Sequence, residues 1–370
     1  MKKINLLVDG HFLTGSSQGT RTHIIGIYAS LIKNYGSYYN IFIAGHDKSK
    51  ILKSLPIHDS NFIKYRFNNN YFRLLIDLPR IIKSYNIDFA HFQQVAPILK
   101  NCKFITTVHD LLFLSHPKLF PLSFRFSRNF LFRKSIMKSE IKLTVSNFSM
   151  RGLNKYYKIP KSEIGITRNG VASKFFESHC KERIRTEIYQ KYSLNKFILC
   201  VSRFEKRKNH LSLLKAYNEL KLNQRGIDLV FIGKKALKTS EYDRYFKKVH
   251  KDVSGNFHHF EFIDDDELLD FYRAASFFVY PSFAEGFGIP PLEAAAAGCP
   301  VLCSNQTAMS DFYNLEIRMF DPYKLDSLKI ELIRLVNNSN LNAIESKKLI
   351  KNNYNWKNSS TTLHKEIQKK

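Results

Sequence analysis

Acidic residues are scarce in this chain: 32 Asp and Glu stand against 58 Lys and Arg in 370 residues, a formal net charge of +26. Such an excess points to an anionic partner, whether nucleic acid, an acidic membrane surface or phosphorylated small molecules. Cysteine is sparse too. Cys102, Cys180, Cys200, Cys299 and Cys303 are scattered through strand-like runs such as "FILCVS" and "PVLCS", with no CxxC pair and no matching His spacing. That excludes a disulfide framework and a zinc module and predicts buried free thiols in a reducing cytoplasm. No apolar run reaches the roughly 20 residues that span a bilayer. In "MKKINLLVDG", Asp9 and Gly10 interrupt the opening run too early for a secretory signal. The chain therefore reads as cytoplasmic, with membrane contact at most peripheral. There is no GxGxxG, so a nicotinamide or flavin cofactor is not supported, and none is expected. Zinc-finger spacing and RNP-like strands are missing and the basic residues are spread along the whole chain, which argues against a nucleic-acid binder.

What is present is a folded, two-domain composition. At 44% hydrophobic and 14% aromatic the chain has material for two cores, and 370 residues exceed what one core usually organises. Short apolar runs alternate with amphipathic patterns: "INLLVDG" precedes a segment in which Ile24, Ile27, Tyr28 and Leu31 recur at helical spacing, and "YNIFIAG", "FAHFQ", "KFITTVHD" and "IKLTVSN" follow as strands. The alternation is that of a parallel α/β layer. It stalls over 168–194, then restarts with "KFILCVSRF", "IDLVFIG", "FHHFEFID", "SFFVYPS" and "PVLCSN". Two Rossmann-like α/β domains are expected, at 1–175 and 190–350, with a C-terminal helical segment at 351–370.

The chemistry concentrates at the predicted carboxyl ends of strands, where open α/β sheets bind ligands. In "PSFAEGFGIPPLEAAAAGCPV", Glu285 lies on a loop after a strand and Glu293 in the opening turns of a helix that begins with prolines and ends at Gly298. Gly286 and Gly288 let backbone approach a ligand, and a helix start favours phosphate, whereas carboxylates suit sugar hydroxyls. Phosphate and sugar together suggest a sugar nucleotide. "CVSRFEKRKNH" offers Arg203 and Lys208 for a diphosphate, with Asn209 as an N-cap. Lys206 and Arg207 read as a solvated basic loop. "KFITTVHD" presents His109 and Asp110 at the same kind of edge, and "GSSQGTRTH" forms a loop eased by Gly15 and Gly19. The acids of "FIDDDELLDFYRAA", with Asp264 and Asp266 in a D-x-D spacing, lead straight into a helix, so capping and dipole pairing explain them better than a metal. No metal is expected. Residues 116–142 interleave Phe and Leu with Arg125, Arg128, Arg133, Lys134 and Lys138. Such a mixture suits an anionic bilayer or, equally, a core helix with a basic outer face.

"EGFGIPPLEA" with its E-x7-E spacing, "SRFEKRKN" with R-x4-K, "TVHD" and "ITRNGV" occur in the order found in the retaining glycosyltransferases of GT-B fold, family four, and the chain resembles them over nearly its whole length. The resemblance implies two Rossmann-like domains facing a central cleft, with a C-terminal helix crossing back to the first domain. It implies Glu285 on the donor sugar and Glu293 on the ribose, beside Gly286, Phe287 and Gly288. Arg203 and Lys208 would hold the diphosphate, His109 would touch the donor sugar near the reacting centre, and Gly19 would let the first loop close over the phosphates. "YNWKNSS" resembles the crossing segment, with Trp356 as its packing anchor. One departure stands out: where relatives place Pro-Glu after the strand matching "PVLCSN", this chain has "QTAMSDFYN", with Asp311 the nearest acid. The expected activity is metal-independent transfer of a hexose (mannose, rhamnose or glucose type), with retention, from a nucleotide-diphosphate sugar to a saccharide or lipid-linked saccharide in bacterial surface polysaccharide synthesis. A sugar-nucleotide epimerase of the same fold is the nearer alternative, and a nucleic-acid-binding protein the more distant one.

Overall fold

The computed structural model describes residues 2–14, 18–235, 240–337 and 343–370. The chain divides into two units: residues 1–170 with 354–370, and residues 171–353. The first holds a seven-stranded sheet. Its strands are β1 (Ile4–Asp9), β2 (Tyr39–Gly45), β3 (Phe62–Lys64), β4 (Phe89–Gln93), β5 (Lys103–Thr107), β6 (Ile141–Thr144) and β7 (Ile164–Ile166), in the order β3-β2-β1-β4-β5-β6-β7. The second holds β8 (Phe197–Val201), β9 (Asp228–Ile232), β10 (Phe257–Phe260), β11 (Phe277–Tyr280), β12 (Val301–Ser304) and β13 (Arg318–Phe320), in the order β10-β9-β8-β11-β12-β13. All pairings are parallel, which crossover helices require. The order reverses between β1 and β4 in one sheet and between β8 and β11 in the other.

Parallel strands covered on both faces read as continuous apolar runs, and β1 shows why. Leu6 and Val8 join the cluster of Ile24, Ile27, Tyr28 and Leu31 from the helix Gln18–Tyr35, while Leu7 points into a second cluster with Ile63, Leu78, Ile81 and Phe104. The helix Trp356–Gln368 returns to the first of these faces through Leu363 and Ile367. Trp356 anchors it against two glycines: a Cβ on Gly26 would stand 2.1 Å from the indole, and one on Gly170 would stand 2.6 Å from the Trp356 backbone nitrogen. Most of the stretch 168–194, where the alternation stalls, falls within the second unit. Its helix Lys181–Tyr192 buries Ile184 and Ile188 and lies against the helix Asp265–Ala274.

Three strands escape sequence reading, namely β3, β7 and β13. Each is three residues long and lies at a sheet edge, too short to show a period of two. Two smaller expectations need correction. Cys180 is exposed and Cys102 half-buried, while Cys200 in β8, Cys303 in β12 and Cys299 are buried. Asp264 occupies the N-cap position of Asp265–Ala274 without a side-chain cap bond, and Asp266 pairs with Lys174 at 2.9 Å.

Trp356 and Gly26 share one space. Gly26→Ala is expected to lower stability by about 1–3 kcal/mol through overpacking. Gly26→Ala combined with Trp356→Ala should lose less than the sum of the single changes in urea unfolding followed by circular dichroism, because the two side chains compete for the same volume. Strict additivity would refute the shared contact.

Candidate active site

A cluster of buried charge lies at the switch point of the second sheet. The loop after β8 contains a short 3₁₀ turn, Lys206–Lys208, and the helix His210–Glu219 follows it. The loop after β11 runs through Pro281 to Glu285. Because β8 and β11 are neighbours, the two loops meet: Phe283 N donates to the Arg207 carbonyl at 2.7 Å, and Asn209 Nδ2 donates to the Pro281 carbonyl at 3.1 Å. Asn209, expected as a side-chain N-cap, holds that position in a left-handed conformation and uses its side chain to tie the loops together.

Glu285 is 7% exposed and its carboxylate accepts from three protein donors. Oε1 accepts from Lys208 Nζ at 2.6 Å and from the Tyr280 hydroxyl at 3.2 Å, while Oε2 accepts from the Arg207 guanidinium at 2.8 Å. Arg207 also reaches Glu205 at 2.8 Å and the Ala284 carbonyl at 3.3 Å. It is therefore no solvated loop residue, unlike exposed Lys206, and reading the chain alone missed it. Burial pushes the Glu285 carboxyl upward, but the Arg207 and Lys208 charges outweigh it and hold the group down at about 2. Burial draws the Lys208 ammonium below the ordinary lysine range, with Glu285 offsetting part of that pull. An ammonium has three donors. Glu285 and Tyr280 take two, at 2.6 and 2.7 Å, which leaves one for an anionic ligand.

A third loop, after β12, completes the support. Glu285 N donates to Thr307 Oγ1 at 2.8 Å, at the head of the 3₁₀ turn Thr307–Phe312. This turn lies in "QTAMSDFYN", where the chain departs from its relatives, so a threonine hydroxyl here steadies the acidic loop. Gly288 has φ +95°, and a Cβ there would meet Met309 at 3.2 Å, so both backbone and packing demand glycine. Beyond it the helix Ile289–Ala296 carries Pro290 and Pro291 in its first turn, which removes two of the four N–H groups a helix start normally exposes. It closes as expected at Gly298, φ +82°, where Gly298 N donates to Ala295 O and Cys299 N to Ala294 O in a Schellman arrangement. Glu293 stands on this helix, half-buried, and accepts from the Tyr272 hydroxyl at 3.2 Å. Burial lifts its carboxyl to about 7. The two glutamates thus differ in charge state: Glu285 is a fixed anion, whereas Glu293 is poised to titrate. Phe287 packs edge-on to Phe312, beside buried Gly286. Arg203 is half-buried just past the end of β8.

In the first unit, His109 follows β5 at its carboxyl end and is 9% exposed, with Nε2 2.8 Å from Gln93 Oε1. Burial and the neighbouring His23 and His91 hold it well below the ordinary histidine range, so it is neutral. Asp110 Oδ1 accepts from Leu112 N at 3.0 Å. Gly19 is no loop residue: it lies in the first turn of Gln18–Tyr35, where a Cβ would meet nothing within 4 Å. Gly15 lies outside the described residues.

Residues 37–175 match the family model "Glycosyltransferase Family 4", and residues 182–356 match "Glycosyl transferases group 1". The chain belongs to the GT-B glycosyltransferases of family 4. O-antigen chain mannosyltransferase B of Escherichia coli is 28% identical over 264 residues, covering 70% of this chain and 68% of that protein. The serotype-specific mannosyltransferase WbdA of Escherichia coli is 35% identical over 153 residues, which span 40% of this chain and 18% of that protein. A solved glycosyltransferase from Rickettsia africae superposes on 99% of this chain and 98% of its own, with TM-score 0.72 and 21% identity, a likeness of fold. As a family 4 glycosyltransferase the protein carries its E-x7-E pair at Glu285 and Glu293 and its R-x4-K pair at Arg203 and Lys208.

The two glutamates predict opposite pH behaviour. Glu293, raised in the fold, favours the native state fully below its unfolded value near 4.5, and that contribution is lost as pH rises through about 7. Glu285, lowered in the fold, contributes above 4.5, and its contribution is lost as pH falls towards 2. Melting temperature measured against pH should therefore show wild type losing ground to Glu293→Gln between pH 4.5 and 7, and losing ground to Glu285→Gln below 4.5. Parallel curves for all three proteins would contradict these assignments.

Proposed function

We propose that this glycosyltransferase moves a mannose-type hexose, with retention, from a nucleoside-diphosphate donor to a saccharide or lipid-linked saccharide in bacterial surface polysaccharide synthesis. The observation that carries the reading is the Lys208–Glu285–Arg207 cluster at the second sheet's switch point, where an ordered carboxylate and a buried ammonium with a spare donor stand together. Mannosyl transfer and a polysaccharide product are supported by the Escherichia coli mannosyltransferases it resembles. In this mechanism the departing nucleoside diphosphate builds negative charge at the bridging oxygen. Lys208 and Arg203 supply the countercharge, so the protein's own cations, and no metal, stabilise the leaving group. Glu285, kept ionised, accepts from donor-sugar hydroxyls and orients the anomeric carbon. Glu293 accepts from the ribose, and neutral His109 faces the sugar as a hydrogen-bonding group. The acceptor hydroxyl attacks from the face the diphosphate leaves, through a short-lived oxocarbenium-like state.

A lipid-linked acceptor fits a surface on the first unit. The helix Leu122–Lys138 exposes Leu122, Phe126 (73%), Phe130 (64%) and Met137 at near-helical repeats, and buries Phe132 and Ile136 on its other side. No acidic residue occurs from 111 to 139, while Arg128 lies over Phe124 and Lys134 over Phe130. Apolar tips framed only by cations match the surface of an anionic bilayer. No helix among the described residues is long and apolar enough to cross a membrane.

Two measurements test this reading. Incubating GDP-, UDP- and dTDP-hexoses with and without lipid-linked saccharide should give nucleoside diphosphate release and sugar transfer that depend on acceptor. Arg207→Ala should lower turnover by roughly 10²-fold through misplacement of Glu285. Release or isomerisation of the sugar without acceptor would favour an epimerase. In flotation assays, wild type should bind phosphatidylglycerol vesicles but not phosphatidylcholine vesicles, and Phe126→Glu with Phe130→Glu should abolish binding while leaving the melting temperature unchanged. Equal binding by the double variant would remove the helix from the proposal.

A further inference from the structure

One face of the first sheet changes character along its strands. Near their starts β4 and β5 place Phe89 and Ile105 in the apolar cluster beneath the helix Gln18–Tyr35. Two residues on, the same face carries His91, Gln93 and Thr107, all at most 2% exposed, and it ends at His109. Buried polar side chains in a core position cost stability unless each finds its partner. Here they form a chain: the Tyr28 hydroxyl meets His91 Nδ1 at 2.6 Å, and His91 Nε2 meets Thr107 Oγ1 at 2.8 Å and Gln93 Nε2 at 3.3 Å. Gln93 Oε1 then meets His109 Nε2 at 2.8 Å.

The amide of Gln93 makes this chain directional. Its oxygen only accepts and its nitrogen only donates. With the oxygen on His109, the proton of that ring must sit on Nε2. With the nitrogen on His91 Nε2, that atom accepts, so His91 carries its proton on Nδ1 and donates it to Tyr28. A neutral imidazole protonated on Nε2 has a bare Nδ1, which can only accept. Neutrality agrees with burial among His23 and His91, which are themselves held down at about 4 and about 3.

We propose that Gln93, backed by His91, Thr107 and Tyr28, is a positioning residue that fixes His109 as the Nε2–H tautomer, so that Nδ1 meets the donor sugar as a hydrogen-bond acceptor for a hydroxyl. The inference rests on the reading of His109 as a donor-sugar contact. It adds a residue that touches no substrate yet decides which way the histidine's hydrogen bond runs. It also gives a physical reason for a polar ladder where Val or Ile would otherwise pack.

The test is the tautomer itself. Long-range proton–nitrogen correlation spectra of protein labelled with nitrogen-15 histidine, with His109 assigned by its disappearance in His109→Gln, should show a neutral ring protonated on Nε2 in wild type. Gln93→Leu should lose that fixed form, by mixing tautomers or by gaining Nδ1–H, and kcat/KM for sugar transfer should fall by roughly 10²-fold. Gln93→Glu, which keeps an acceptor, should retain the proton on Nε2 and let the ring titrate at higher pH. Should Gln93→Leu unfold, the wild-type and Gln93→Glu spectra still decide. A wild-type enzyme that transfers sugar with His109 in the Nδ1–H form overturns the assignment alone, as would unchanged spectra and kinetics in folded Gln93→Leu. A wild type that consumes no nucleotide sugar overturns the functional reading beneath it, whatever the spectrum.

Discussion

A single buried carboxylate organises the second unit's ligand edge. Glu285 receives an ammonium, a guanidinium and a phenol, and its own backbone is steadied by Thr307. Removing one partner would leave charge in a poorly hydrated place, and such a loss is far more costly than that of an exposed pair. The arrangement obliges three loops, after β8, β11 and β12, to keep their relative positions. The closed prolines and glycines of 286–291 then present little more than backbone to a ligand.

In the first unit a buried Asp9–Arg73 ion pair at the end of β1 accompanies the neutral His91 and His109. Its buried His23, His91 and His109 lie deep enough that protonation is disfavoured. The packing beneath is correspondingly tight: Gly26 and Gly170 make room for Trp356, and the helix that this indole anchors lies across the face from which the polar ladder emerges.

Much of this was visible in the residues. Central strands were legible because parallel strands buried on both faces leave unbroken apolar runs, and the acidic pair because glycine, proline and spacing frame it. Arg207 was not. In a run of Lys206, Arg207 and Lys208, side-chain chemistry alone does not say which cations turn inward; the 3₁₀ turn, ended by left-handed Asn209, leaves Lys206 exposed and Lys208 buried. Gln93 was hidden for a different reason: a glutamine in a strand carries no signal until its neighbour strand supplies a histidine. Thr307 lay in a stretch that looked only like a departure from the family pattern.

The sequence by itself determined the two parallel α/β layers, the motifs at strand ends and the family, since period, glycine placement and motif order are properties of one chain read in line. Tertiary structure alone decided which charges pair, which polar side chains meet in the core and which edge strands complete the sheets. Those outcomes depend on residues 16 to 78 positions apart, such as Gln93 beside His109 and Arg207 beside Glu285, that only the pairing of parallel strands brings within hydrogen-bond reach.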